Sequence, residues 1–182
     1  MRIEFRPISS TDVPNLTRWQ KEPEVDVWWA SNGERTFDEV FQKWERRTEE
    51  IFTDGSDKTQ RYVIVVDGTD IGEIQGYRLS DYPEHAAEVG IPNAAGVDVF
   101  IGEPAWRNRG VGTLVIKQFI EEVIWNLPAV DVCTIDPDPE NKRAIRSYEK
   151  VGFYYVRSYY SVVNEMNVYL MRMEKPEAVT SS

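Results

Sequence analysis

Segment 107–112, RNRGVG, places two arginines and two closely spaced glycines directly before an amphipathic run. The first backbone N–H groups of a helix have no partner within the helix, and the helix dipole adds positive potential there. Gly110 and Gly112 lack a Cβ atom, so an anion can approach the main chain closely. The P-loop and Rossmann glycine patterns are both absent. The segment therefore indicates an anion site at a helix start or, alternatively, glycines that ease a strand-to-helix turn.

Carboxylates form a second group of candidate residues. Asp98 lies between two valines in GVDVFIG, so its side chain is on the opposite face of the predicted strand from theirs. A charge in mid-strand is unfavourable unless that face is a wet cleft or the charge is paired. Asp98 is thus a candidate general base, or else the partner of an arginine. Asp136 ends the next predicted strand and opens DPDPEN, which is either part of a site or a solvated acidic turn.

Hydrophobic periodicity predicts the elements that must position these residues. A short helix follows Ser9 or Ser10, and a capping box at Thr36 begins a second helix. Segment 80–95 is predicted to be an irregular acidic loop, in which His85, the only histidine, faces solvent. The predicted strands are 3–8, 96–102, 130–136, 153–163 and 166–174, with a hairpin over 61–79. Two later helices are predicted over 111–124 and 140–150. The apolar stripe of the first of these includes Leu114, Val123 and Ile124.

The order β-α-α-β-β-β-α-β-α-β-β predicts an α/β (α+β) fold with a mixed, mostly antiparallel sheet and helices on both faces. We expect a single domain over residues 1–174, followed by a flexible tail over 175–182.

Composition narrows the classes of function. The formal net charge of −10 argues against a nucleic-acid partner and suits a cationic ligand, although acidity can also serve solubility alone. The sequence has neither an apolar run long enough for a membrane span nor the apolar core of a signal peptide, so we expect a cytoplasmic protein without a membrane partner. Cys133 is the only cysteine, which excludes an intrachain disulfide, and it is predicted to be buried in a strand.

Two motifs together carry a family resemblance. The first is Arg107-x-x-Gly110-x-Gly112 after a strand, and the second comprises Asn141, Ala144, Tyr148, Glu149, Lys150, Gly152 and Phe153. This pair resembles the GNAT family of acetyl-CoA-dependent N-acetyltransferases. The resemblance implies the GNAT fold, whose sheet is splayed between strands 4 and 5, and acetyl-CoA as co-substrate without a metal.

The resemblance also implies roles for individual residues. Main-chain N–H groups of the glycine loop would hold the coenzyme pyrophosphate, and a strand N–H group would polarise the thioester carbonyl. Tyr148 would protonate the departing thiolate; the alternative is a helix tyrosine that packs on the core. The expected coenzyme-binding residues are Val99, Ile101, Arg107, Asn108, Arg109, Gly110, Val111, Gly112, Thr113 and Asn141.

A narrower resemblance concerns the amine. The segments VWWAS, IGEIQGY, GVD, GVGT, DPDPEN and RAIRSYEKVGF look like those of the aminoglycoside 6'-N-acetyltransferases, whereas segment 80–95 does not align with that group's substrate loop. This implies acetyl transfer to the 6'-amine of an aminoglycoside, a small cationic molecule, by direct attack in a ternary complex within a monomer or homodimer. The implied substrate-binding residues are Trp28, Trp29, Gln75, Tyr77, Asp98 and Asp136.

Two other readings stay open at this point. One is a GNAT enzyme for a different amine, such as a siderophore precursor, a polyamine or a protein N-terminus. The other is a non-catalytic acetyl-CoA-binding domain. Core packing is the alternative role for the Trp28–Trp29 pair.

Overall fold

The computed structural model of the chain describes residues 1–29, 36–53 and 57–177. Residues 178–182 of the predicted tail lie outside these ranges, as do the last two residues of the VWWAS motif. None of the helices within these ranges is long and apolar enough to cross a membrane.

Seven strands form one sheet in the order β1-β2-β3-β4-β5-β7-β6. Every neighbouring pair is antiparallel except β4 and β5, which run parallel, so the predicted mixed and mostly antiparallel sheet is confirmed. The strands are β1 Ile3–Pro7, β2 Gln60–Val66, β3 Thr69–Arg78, β4 Ala94–Ile101, β5 Val132–Ile135, β6 Tyr154–Ser161 and β7 Met166–Glu174.

The parallel pair separates part of the way along β4. β4 pairs with β5 only over residues 94–96, which face residues 132–134, but it pairs with β3 as far as Ile101. The remaining part of β4, residues 97–101, therefore has a strand neighbour on one side only. This confirms the predicted splay between strands 4 and 5.

Helices cover both faces of the sheet, as predicted. α1 Val13–Gln20, α2 Pro23–Trp29 and α3 Phe37–Thr53 pack on the face that carries Val63 and Phe100. α5 Val111–Glu122 and α6 Lys142–Val151 pack on the other face, in a core that includes the buried Cys133. Leu114 was wrongly assigned to the apolar stripe of α5, since it is 48% exposed on the solvent side of the helix. That helix ends at Glu122, so Val123 and Ile124 lie beyond it.

Two short helices were not predicted. α2 spans seven residues, and α4, Pro83–Val89, also spans seven within the predicted irregular loop. α4 begins with Pro83 at its first position and ends at Gly90, whose φ of +66° is the left-handed conformation that glycine tolerates. His85 lies on the buried side of α4, only 8% exposed, so the expectation that it faces solvent was wrong.

Candidate active site

A cleft of about 950 Å³ opens where β4 and β5 separate. It runs from the start of α5, past the end of β4, to the aromatic residues of α2 and the turn between β6 and β7. Its lining includes eight of the predicted coenzyme residues, all six predicted substrate residues and Tyr148: Val99, Ile101, Arg107, Asn108, Gly110, Gly112, Thr113, Asn141, Trp28, Trp29, Gln75, Tyr77, Asp98 and Asp136. The splay thus brings both halves of the predicted site to one cavity.

The start of α5 is open towards this cleft. Gly110 precedes the helix with a φ of +76°, and no acidic residue lies in the first turn. A Cβ atom built on Gly110 would meet nothing within 4 Å, and one on Gly112 would meet only Ile101 Cγ1 at 4.0 Å. The first N–H groups of α5 can therefore be approached directly by an anion, which fits a phosphate group.

Three predicted coenzyme residues are placed differently from the rest. Arg107 donates from Nε to the Ile101 carbonyl (2.8 Å) and from Nη2 to the Gly102 carbonyl (2.6 Å), with only 7% of its side chain exposed. Its guanidinium thus ties the end of β4 to the glycine loop. Arg109 is exposed and does not line the cleft, and the Val111 side chain packs into the core.

Asn141 caps α6 at the edge of the cleft. Its Oδ1 accepts the Ala144 N–H at 3.1 Å, which fixes the side chain at the helix start. In the first turn of the helix, Arg143 donates from Nη1 to Glu24 Oε2 (2.8 Å) and to Asn108 Oδ1 (3.3 Å). These contacts join α6 to α2 and to the loop before α5.

Asp98 lies in the part of the cleft that contains the predicted substrate residues. Gln75, its cross-strand neighbour on β3, donates from Nε2 to Asp98 Oδ2 at 2.6 Å. No arginine forms an ion pair with Asp98 among the residues that the structure describes, which disfavours the alternative of an arginine-paired carboxylate. Burial raises the pKa of Asp98, and the Gln75 hydrogen bond partly offsets that rise.

Asp136 is a second carboxyl group in the same cleft. Burial, and then the nearby charge of Asp98, raise the pKa of Asp136 to about 8. Asn164 donates from Nδ2 to Asp136 Oδ2 at 3.3 Å. Both carboxyl groups are partly buried, and the charge of Asp98 further disfavours ionisation of Asp136, so a cation bound here would be stabilised.

Aromatic side chains also line the part of the cleft that contains the predicted substrate residues. Trp29 packs edge-on against Phe100 with ring centroids 4.9 Å apart and an interplanar angle of 81°, so it both joins the core and lines the cleft. Trp28, beside it on α2, also lines the cleft. Tyr77 packs directly over Gly96, where a Cβ atom would lie 2.5 Å from the ring.

Tyr148 lies on α6 facing the cleft. It is 8% exposed and packs against Phe153 with ring centroids 6.2 Å apart. Burial, with smaller contributions from Asp98 and Asp136, raises the pKa of Tyr148 well above its usual value. A phenol in this position stays protonated at neutral pH and so keeps a proton to donate, although the raised pKa makes it a weaker acid than a free tyrosine.

Some lining residues were missed by sequence reasoning. Phe100 shares a strand face with Asp98, so two-residue alternation could have identified it. Arg47 and Asn164 lack any such signal, because a helix–sheet contact and a hairpin turn bring them to the cleft. Glu73, two residues before Gln75 on β3, does not line the cleft; it is fully buried, has both carboxyl oxygens without a hydrogen-bond partner within the described ranges, and burial raises its pKa to about 7.

Comparisons with known proteins agree with this geometry. The family model described as an acetyltransferase (GNAT) domain matches residues 9–160. The aminoglycoside N(6')-acetyltransferase type 1 of Klebsiella pneumoniae is 27% identical over 152 residues, which cover 83% of this chain and 73% of that protein. A kanamycin resistance protein of Rhizobium radiobacter is 37% identical over 62 residues, which cover 34% of this chain and 56% of that one.

Solved structures show the same fold. The aminoglycoside acetyltransferase AAC(6')-Ib in complex with coenzyme A and kanamycin superposes with a TM-score of 0.79 at 22% identity, covering 96% of this chain and 95% of that chain. The same enzyme in complex with ribostamycin and coenzyme A gives a TM-score of 0.82 at 21% identity, covering 96% and 94%. At these identities the likeness concerns the fold.

Proposed function

The chain belongs to the GNAT acetyltransferase family, and we propose that it transfers the acetyl group of acetyl-CoA to the 6'-amine of an aminoglycoside. The observation that carries the proposal is the single cleft that joins the open start of α5 to Asp98 and Asp136. The aminoglycoside-acetylating relatives support the choice of amine. The proposal includes one acetyltransferase domain over residues 1–174, a cytoplasmic location and a monomeric or homodimeric enzyme.

The coenzyme half of the site fits acetyl-CoA. When bound, acetyl-CoA supplies an acetyl thioester and a thiol leaving group. The N–H groups at the start of α5 bind its pyrophosphate, since Gly110 and Gly112 leave that approach open. Beyond residue 96, the main chain of β4 is free of β5, so Val99 offers its backbone groups to the pantetheine arm. The Ile101 carbonyl already accepts a hydrogen bond from Arg107, so Ile101 contributes only its N–H group to coenzyme binding.

The amine half fits a cationic amino sugar. Asp98 and Asp136 pair with ammonium groups, and each carboxylate gains the cation that offsets its burial. Trp28 and Trp29 offer aromatic surface to the apolar faces of the sugar rings and to their ammonium groups.

Asp98 acts as the base that prepares the amine. A primary amine with a pKa of about 10, judged from lysine, is mostly protonated at neutral pH and must lose a proton before it attacks. Gln75 holds Asp98 Oδ2, which orients Oδ1 as the proton acceptor, and the raised pKa of Asp98 strengthens it as a base. Tyr148 donates its phenolic proton to the departing thiolate. Because a thiol has a pKa of about 8.5, this second transfer is helpful but not essential.

The test is the release of free coenzyme A thiol from acetyl-CoA by the full chain, with kanamycin, tobramycin, spermidine and a short peptide offered in parallel. We expect rapid release with the two aminoglycosides only, and an NMR spectrum of the product with the acetyl group on the 6'-nitrogen. Release with spermidine or the peptide alone would assign a different amine. Binding of acetyl-CoA without release for any amine would identify a non-catalytic domain.

A further inference from the structure

The helix α4 packs beside one wall of the amine side of the cleft. That wall is the turn between β6 and β7 together with the first residue of β7: Val163, Asn164, Glu165 and Met166 all line the cavity. Glu88, in the last turn of α4, does not line the cavity itself but contacts the start of this turn. The turn's position relative to the cleft therefore depends on α4.

The Glu88 carboxylate accepts three hydrogen bonds, from the last residue of β6 and the first two residues of the turn. Oε1 accepts the N–H groups of Val162 (2.7 Å) and Val163 (3.2 Å), and Oε2 accepts the Ser161 hydroxyl (2.6 Å). Ser161 Oγ in turn accepts the N–H of Asn164 at 3.0 Å. One carboxylate thus orders the backbone over residues 161–164.

These contacts continue into the site. Hydrogen bonds connect Glu88 to Ser161 and Ser161 to Asn164. The Asn164 side chain in turn donates to Asp136 in the cleft. The same helix also supplies His85, whose ring lies 6.1 Å from that of Tyr77. Two cleft residues, Asp136 and Tyr77, are therefore supported from α4.

The charge of Glu88 is consistent with this arrangement. Burial raises its pKa, but the hydrogen bonds from Ser161, Val162 and Val163 outweigh that effect and lower the pKa below the usual value. Hydrogen bonds to a charged acceptor are stronger than those between neutral groups, so this carboxylate restrains the turn more than a neutral side chain would.

We propose that Glu88 is a positioning residue for the amine substrate: through 161–164 it holds the turn that walls the cleft and the Asn164 amide that orients Asp136. This inference rests on the proposed function, namely that the Asp136 end of the cleft binds an amine. It assigns a role to segment 80–95, which lies outside the coenzyme half of the site.

The experiment compares Glu88→Ala with Glu84→Ala, a matched change at an exposed position of the same helix. For Glu88→Ala we expect the aminoglycoside KM to rise about tenfold, which corresponds to about 1.4 kcal/mol, while the acetyl-CoA KM stays within about twofold. Glu88→Gln keeps one oxygen acceptor and gives an intermediate rise. Glu84→Ala leaves both KM values unchanged.

A second readout does not depend on turnover. Hydrogen exchange of the Val162 and Val163 amides is expected to be faster in Glu88→Ala than in Glu84→Ala, because these N–H groups lose their acceptor. Faster exchange with an unchanged aminoglycoside KM would reduce Glu88 to a stabilising contact and overturn the proposal. An equal rise in both KM values would overturn it too.

Failure of the proposed function is distinguishable from failure of this inference. If the wild-type protein acetylates no amine, the proposed function fails. If wild type acetylates aminoglycosides but Glu88→Ala has the same KM as Glu84→Ala, only the positioning role fails.

Discussion

Replacing Gly112 with alanine should change stability and coenzyme binding in opposite directions. Gly112 lies in the first turn of α5 with ordinary helical backbone, and a Cβ atom there would meet only Ile101 at 4.0 Å. Alanine is favoured over glycine within a helix by at most about 1 kcal/mol. For a chain of this size that gain would raise the Tm by about 1–4 °C. The new methyl group would, however, occupy the space through which a phosphate reaches the first N–H groups.

The loss of affinity follows from the hydrogen bonds at stake. A hydrogen bond from an N–H group to a charged acceptor contributes about 1.5–3 kcal/mol, so blocking one lowers acetyl-CoA affinity by about 10- to 100-fold. Differential scanning fluorimetry without ligand gives the Tm, and isothermal titration calorimetry with acetyl-CoA gives the Kd. Both measurements use the full chain.

Gly90→Ala is the control, because it should lower stability without changing coenzyme binding. Gly90 has a φ of +66° with nothing within 4 Å of a built Cβ atom, and it does not line the cleft. Alanine there is strained, so the Tm should fall while acetyl-CoA affinity stays unchanged. An unaltered Kd in Gly112→Ala would refute the assignment of the start of α5 as the pyrophosphate site.

Three further predictions concern the reaction itself. Asp98→Asn keeps an oxygen that can accept the hydrogen bond from Gln75. It should lower kcat by about 100-fold or more, while the acetyl-CoA Kd measured by calorimetry stays unchanged. A kcat within about threefold of wild type would remove Asp98 as the base. Tyr148→Phe should lower kcat only about tenfold, because a thiolate leaves without full protonation, and stopped-flow detection of thiol release would reveal any larger dependence. Because the pKa of Asp136 is raised to about 8, its ionised form becomes more populated as pH rises from 6 to 9. The aminoglycoside KM should therefore fall across that range, and Asp136→Asn should flatten this pH profile. A parallel fall of KM in the variant would exclude Asp136 as the titrating group.

The sheet was predictable because its strands are long and rich in β-forming residues. Within β4, the alternation of Val97, Asp98 and Val99 correctly predicted that the Asp98 side chain faces away from the neighbouring valines. The splay followed from the family resemblance, since no local pattern in β4 reveals where its pairing with β5 stops. In the structure this pairing ends at residue 96, two residues before Asp98.

The two short helices were not predictable in the same way. Seven residues give fewer than two turns, so α4 presents only His85 and Val89 to the interior and leaves no periodic stripe to detect. A proline followed seven residues later by a glycine was the available signal, and it was outweighed by the acidic composition of segment 80–95. Arg107 shows a related difficulty. Sequence reasoning assigned its charge to a ligand, whereas two carbonyls at the end of β4 take up its donors.

The cleft also shows why the formal charge of the chain is a poor guide to its partner. The count of −10 treats Asp98 and Asp136 as fully ionised, yet burial raises the pKa of both, and that of Asp136 reaches about 8. Ionising Asp136 in the free protein costs stability as pH rises through that value, because its pKa in the folded state exceeds that of the unfolded chain. An ammonium group bound beside these carboxyls offsets that cost and lowers both pKa values. Cation binding near neutral pH is therefore coupled to proton release, and under the proposed function the preference for a cationic amine would arise from two partly buried carboxyl groups in one cleft rather than from the acidity of the surface.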